Sequence, residues 1–259
     1  MNLLRLVSDV YEQKARLYPA LVLVTPIIVT IIAIASVKLS AAQSLAVLVV
    51  GCGGTFLLAQ LARDAGKKGE QGLFASWGGM PSVAIMRHRD TRIDPITKAR
   101  YHKKLSALVK GAKPPSPAEE QADHAGADVI YQAWSTYLRV STRDAKKYSL
   151  LFQENVSYGY RRNLWGLRAW GIITSTLSCL IAASWSVRQY RASDGTSVEL
   201  LAATALALIL LVLWVFRFTS TWVRVPADAY AERLAEAVDA LGGKSTGAKE
   251  TKVSPSKKQ

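Results

Sequence analysis

The sequence predicts an all-α polytopic membrane protein in which two transmembrane helical hairpins, four spans in all, are separated by a mainly helical cytoplasmic domain. Three observations lead there. Four apolar windows, Ala20 to Val37, Leu45 to Ala62, Ala169 to Val187 and Val198 to Phe216, each run 18 or 19 residues without Asp, Lys or Arg. A helix of that length crosses roughly 27 Å of hydrocarbon at about 1.5 Å per residue. Half of the 259 residues are hydrophobic although the net charge is +14, two properties that a membrane chain keeps in separate segments.

The third observation is where the charge lies. Of 33 Lys and Arg, nineteen fall between Arg63 and Arg168, three precede the first window and eight follow the last, whereas the two short loops hold one (Lys38) and two. The positive-inside rule then places both termini and the central block in the cytoplasm, with a bacterial inner membrane as the plain setting. The chain divides into an amphipathic segment (1–19), hairpin one (20–62), a cytoplasmic domain (63–168), hairpin two (169–216), an interfacial segment with a C-terminal helix (217–241) and a basic disordered tail (242–259).

In residues 1–19 the spacing of Leu3, Leu6, Val7 and Val10 against Arg5, Asp9, Glu12 and Lys14 predicts a surface helix, or an extension of the first span, ended by Pro19. An amphipathic lead and an immediately following second span make a cleaved signal a poorer account. Span one carries Pro26, which removes a backbone donor. Span two carries Gly51 and Gly54 in a small-residue patch suited to close helix packing. Cys52 and Cys179 both fall inside spans and read as packing residues.

Arg63 to Gly69 reads as a helix end with a basic, glycine-marked turn. Trp77, Gly78, Gly79 and Pro81 form a structural turn, with Trp77 at the membrane surface, and Val83 to Met86 suits a short strand or a helix start. Thr97 to Val109 is expected to be a helix with Lys98, Lys103 and Lys104 on its polar side. Ser116, Pro117 and Glu119 have the spacing of a capping box. Ala125 to Leu151 continues helical, with Ile130, Ala133, Trp134, Tyr137 and Leu138 facing a small core.

Phe152 to Arg168 interleaves aromatics with Arg161, Arg162 and Arg168, a mixture that suits the headgroup level and contact with lipid phosphate. Beyond span four, Phe218, Trp222 and Val223 continue the interfacial band. An alanine-rich helix, Ala227 to Leu241, follows, fit to self-associate or to cover the central domain.

Motifs exclude more than they assign. His88-Arg89-Asp90 lacks the later residues of a kinase catalytic loop, and no phosphate-binding glycine loop or dinucleotide fingerprint occurs. His88, His102 and His124 lack metal-ligand spacing, so neither a metal nor a cofactor is expected. Glu199 stands at the edge of the last window and the span interiors hold no other charge, which argues against a charge-relay pump. The +14 follows from topology and brings no nucleic-acid motif with it.

What remains is a set of arginines, Arg87, Arg89, Arg92, Arg143, Arg161 and Arg162, whose forks suit internal carboxylates or the phosphates of a ligand. The leading expectation is a non-enzymatic inner-membrane sensor or scaffold whose cytoplasmic domain binds a partner protein or an anionic small molecule, with anionic lipids around it and a homo-oligomeric assembly. A ligand-gated homo-oligomeric channel or membrane-perturbing effector is the second reading. A membrane-bound enzyme acting on a lipid or nucleotide through His88, Asp90, Asp94 and His102 is the third.

Overall fold

The structure is a computed structural model describing residues 11–35, 41–193 and 195–241; within it, the side chains of residues 41–53, 55, 56 and 193 are not described. The elements are a π-helical turn π1 (Glu12–Leu17), α1 (Tyr18–Ala35), α2 (Ala41–Ser76), α3 (Pro81–Ala84), α4 (Pro95–Leu108), α5 (Pro117–Ala122), α6 (His124–Ser141), α7 (Ser149–Gly166), α8 (Arg168–Ser193), α9 (Val198–Val212), a second π-helical turn π2 (Leu213–Arg217) and α10 (Ser220–Ala240). Every regular element among the described residues is helical.

Three helices are long and apolar enough to cross a membrane: Glu12–Ala35, Arg168–Ala192 and Val198–Arg217. The remaining window, Leu45 to Ala62, lies on α2, but most of its side chains, Gly51 and Cys52 included, fall outside the described residues. α1, α8 and α9 pack together through small residues, with Ala33, Ala182 and Ala203 buried at one level. Near the other end of this bundle Trp214 is fully buried and lies directly over Gly171, where a Cβ would stand 2.1 Å from the indole.

The expected helix end at Arg63 to Gly69 does not occur. α2 runs unbroken through the basic stretch to Ser76, because its glycines serve a crossing rather than a turn. A Cβ on Gly166 would lie 2.5 Å from the Gly66 nitrogen, and one on Gly69 would lie 2.3 Å from the Trp165 ring. α2 and α7 therefore touch backbone to backbone. Gly54, expected to mark a close packing site, meets nothing within 4 Å.

The helix ends where Gly78 and Gly79 take positive φ. Gly79 N–H donates to Phe74 O (2.8 Å) and Gly78 N–H to Ala75 O (3.3 Å), the paired bonds of a Schellman cap. Trp77 packs against the cluster of Leu73, Tyr158, Val223 and Ala227. Residues 81–84 are a short helix, so the strand alternative for Val83 to Met86 falls away.

The central domain is built on local signals that hold. Asp94 caps α4, accepting from Thr97 N–H at 2.8 Å. Ser116 and Glu119 form the reciprocal capping box of α5, at 3.2 and 2.7 Å. The predicted run from Ala125 to Leu151 breaks between Ser141 and Ser149 into α6 and α7. Trp134 and Leu138 are fully buried in a core with Tyr101 and Leu105. α10 closes that core with Ala231, Leu234, Ala235 and Val238, so the alanine-rich helix does cover the domain. Lys98, expected on the polar side of α4, is instead buried, and its ammonium donates to Arg87 O (2.7 Å) and to Asp90 O.

α7 is where these parts meet, since it contacts π1, α2 and α10. A proline cannot donate to the carbonyl four residues before it, so Pro19 and Pro226 leave Ala15 O and Trp222 O without helical partners. Both are supplied by α7. Asn163 Nδ2 donates to Ala15 O at 2.7 Å and Arg161 Nη1 donates to Trp222 O at 3.0 Å. Just beyond α7, Arg168 donates to Trp214 O (3.0 Å) and Val215 O (2.7 Å) in π2. Helix α1 thus continues through Pro19, and the proline's cost is met by a distant side chain.

Candidate functional site

The six arginines singled out by sequence do not converge. Arg87 is clamped inside the domain: Nε and Nη2 reach the two oxygens of Asp128 at 2.8 and 2.6 Å, and Nη1 donates to Gly78 O at 2.8 Å. The amides of Gly78 and Gly79 are spent on the cap of α2, and the Gly78 carbonyl faces the arginine. Arg92 bridges Asp90 and Asp228, and Arg89 meets His124 Nδ1 at 2.9 Å. These three act as internal fasteners between loop and helix.

Arg161 and Arg162 also make their contacts within the chain. Arg161 lies over the Trp222 ring, 4.8 Å from its centroid, as does Arg217 at 5.1 Å. Burial, then the Arg217 charge, lower the Arg161 pKa. Arg162 donates to Glu70 at 2.9 Å, and Tyr158 donates to the same carboxylate oxygen at 2.7 Å. Burial works against the Arg162 charge, but Glu70 outweighs it and the pKa rises; burial, with Glu70 second, also raises Tyr158.

Arg143 is different. It follows the end of α6 and lines a cavity of about 310 Å³ with Tyr11, Arg139, Phe152, Asn155 and Tyr230. A second cavity of about 240 Å³ shares Arg139, Asn155 and Tyr230 and continues to Lys67, Glu70 and Arg162 on α2 and α7. The two form one cleft between α2, α6, α7, α10 and the Tyr11 segment. Its single carboxylate, Glu70, is already held by Arg162 and Tyr158. Lys67, Arg143 and Asn155 make no hydrogen bond or ion pair among the described residues, and Arg139 makes only a 3.1 Å bond to Thr136 one turn back.

Chemically the cleft offers cationic and amide donors, framed by the phenols of Tyr11 and Tyr230. The sequence pointed to Arg143 but missed Lys67, Arg139 and the tyrosines. Arg139 was recoverable, since it stands four residues before Arg143 in a stretch that the sequence reads as helical. Lys67 and Tyr11 lie about 72 and 128 residues before Arg139 and carry no local signal.

The histidines serve the fold. His88 Nε2 bonds Pro115 O and His102 Nε2 bonds Met86 O, both at 2.8 Å, with the rings edge to face 4.9 Å apart. Desolvation in this cluster lowers the His102 pKa to about 4. Glu120 accepts from His88 N–H (2.8 Å) and Tyr131 O–H (2.7 Å). Nε2 of both rings and Oε2 of Glu120 are thus taken up by the protein itself.

These features describe an all-helical chain, among the described residues, with three helices long and apolar enough to cross a membrane and a basic cleft between α2, α6, α7 and α10. Comparison with family models, with curated proteins and with solved structures finds no match for the chain.

Proposed function

We propose that the protein is a non-enzymatic membrane sensor or scaffold whose central domain, on the cytoplasmic side, binds an anionic ligand in the cleft of Arg139, Arg143, Asn155 and Lys67. The observation that carries the reading is a cleft of unneutralised donors in a domain whose other interior cations are held by carboxylates or backbone carbonyls. Arg87, Arg92 and Arg162 each have a carboxylate, whereas Lys67 and Arg143 have none among the described residues. Acceptor-only groups such as phosphate complement guanidinium and ammonium donors best. The wall made by Tyr11 stands at the head of the first candidate span, so a ligand there touches the membrane part of the chain as well as the domain.

The test is calorimetric titration of the full-length protein in neutral detergent with inorganic pyrophosphate. The reading expects saturable binding that weakens with salt and is reduced at least about tenfold in the Arg139→Gln, Arg143→Gln double variant. Absence of binding, or equal binding by wild type and variant, refutes it.

A further inference from the structure

We infer that the ligand is a phosphate-bearing lipid, its headgroup held between the cleft and the inner end of α2 and its chains lying along the same helix. The inference rests on the anion-binding reading and adds the source of the anion. Gln60 Nε2 and Arg63 Nε are both buried without a hydrogen-bond partner. Residues 60, 63, 67, 70 and 74 recur at helical spacing and share one face of α2. Lys67, Glu70 and Phe74 of that face line the lower half of the cleft. With Glu70 engaged by Arg162 and Tyr158, the face presents donors over about 10 Å of helix axis, from Gln60 through Arg63 to Lys67.

Depth distinguishes a lipid from a free phosphate compound. Gln60 and Arg63 straddle Ala62, the last residue of the second apolar window. That is where hydrocarbon gives way to headgroups. A soluble anion has no reason to reach so deep, whereas a phospholipid phosphate sits there by construction. Leu57 and Leu61, next to Gln60 on α2, are 61% and 50% exposed and offer the adjoining apolar surface for acyl chains. The donors are therefore ordered as a lipid is ordered, with apolar contact first, phosphate next, and polar headgroup substituents toward Arg139 and Arg143.

Native mass spectrometry of the full-length protein, incubated with an equimolar mixture of phosphatidic acid and phosphatidylcholine, tests this. The wild type should retain phosphatidic acid at least about tenfold over phosphatidylcholine. Arg63→Gln should lose that preference while still binding pyrophosphate, and Arg63→Lys, which keeps the charge, should restore most of it. A melting temperature close to wild type for Arg63→Gln separates lost binding from lost folding. If it melts low, Gln60→Leu serves in its place, with the same loss expected. Free glycerol 3-phosphate should fail to displace the lipid at equal concentration. Displacement by glycerol 3-phosphate, or undiminished lipid preference in Arg63→Gln or Gln60→Leu, overturns the lipid assignment and leaves the anion site standing if pyrophosphate still binds. Loss of pyrophosphate binding in the wild type removes both.

Discussion

Replacing Gly166 by alanine probes the crossing on which the cleft is built. The added Cβ would stand 2.5 Å from Gly66 N and 2.7 Å from both Ala65 C and Gly66 Cα. These are backbone atoms and cannot turn aside as a side chain can, so α2 and α7 must separate by roughly 1 Å to regain normal contact. Overpacking of this kind costs about 1–3 kcal/mol. Alanine returns at most about 1 kcal/mol through helix propensity, and less at a helix end. Separation also lengthens the Arg162–Glu70 and Asn163–Ala15 bonds, so a net loss of about 2 kcal/mol is expected. At roughly 2–4 °C per kcal/mol for a chain of this size, the melting temperature should fall by about 4–8 °C. The assay is tryptophan-fluorescence melting in neutral detergent. Gly72→Ala on the same α2 is the control, since nothing lies within 4 Å of its Cβ position; it should melt slightly above wild type. If Gly166→Ala melts at or above wild type, the backbone crossing is wrong.

Other substitutions test separate parts of the account. Asn163→Leu leaves Ala15 O buried and unpaired next to Pro19, and should lower stability by about 1–3 kcal/mol in the same melt. Arg87→Met strands Asp128 and releases the Gly78 carbonyl; because Asp128 keeps about a third of its exposure, roughly 2 kcal/mol of destabilisation is expected in denaturant titration, less than for a fully buried pair. His102 supplies a pH signature. Burial holds its folded pKa near 4, below the ordinary 6.5, so the unfolded chain binds the extra proton between these values. Stability should therefore fall as pH drops from about 6.5 toward 4, by roughly 3 kcal/mol at most, and His102→Phe should flatten that decline. Burial raises Asp90 and Glu120, but their hydrogen bonds outweigh it and hold both pKa values below normal, so the stability they add is lost only at more acid pH.

Local chemistry was legible in the sequence and long-range pairing was not. The capping box at Ser116, the glycine turn at Gly78 and Gly79, and the buried stripe of Trp134 and Leu138 depend on neighbours within a few residues, and each stands as read. Gly66 and Gly69 misled because a glycine that ends a helix and one that admits another helix look alike until the partner is known. Pro19 and Pro226 announced orphaned carbonyls, but the donors, Asn163 and Arg161, lie 148 and 61 residues from those carbonyls. The same holds for Arg162 and Glu70, 92 residues apart. Spacing on α4 placed Lys98 outside; the loop carbonyls of Arg87 and Asp90 draw it in.

Every functional statement depends on the basic domain facing the cytoplasmic leaflet. A single cysteine at Lys113, in the turn before α5, introduced after Cys52→Ser and Cys179→Ser, can be challenged with a membrane-impermeant maleimide. The account predicts labelling in inverted membrane vesicles and protection in intact cells. Labelling in intact cells would put the domain on the opposite side and contradict it.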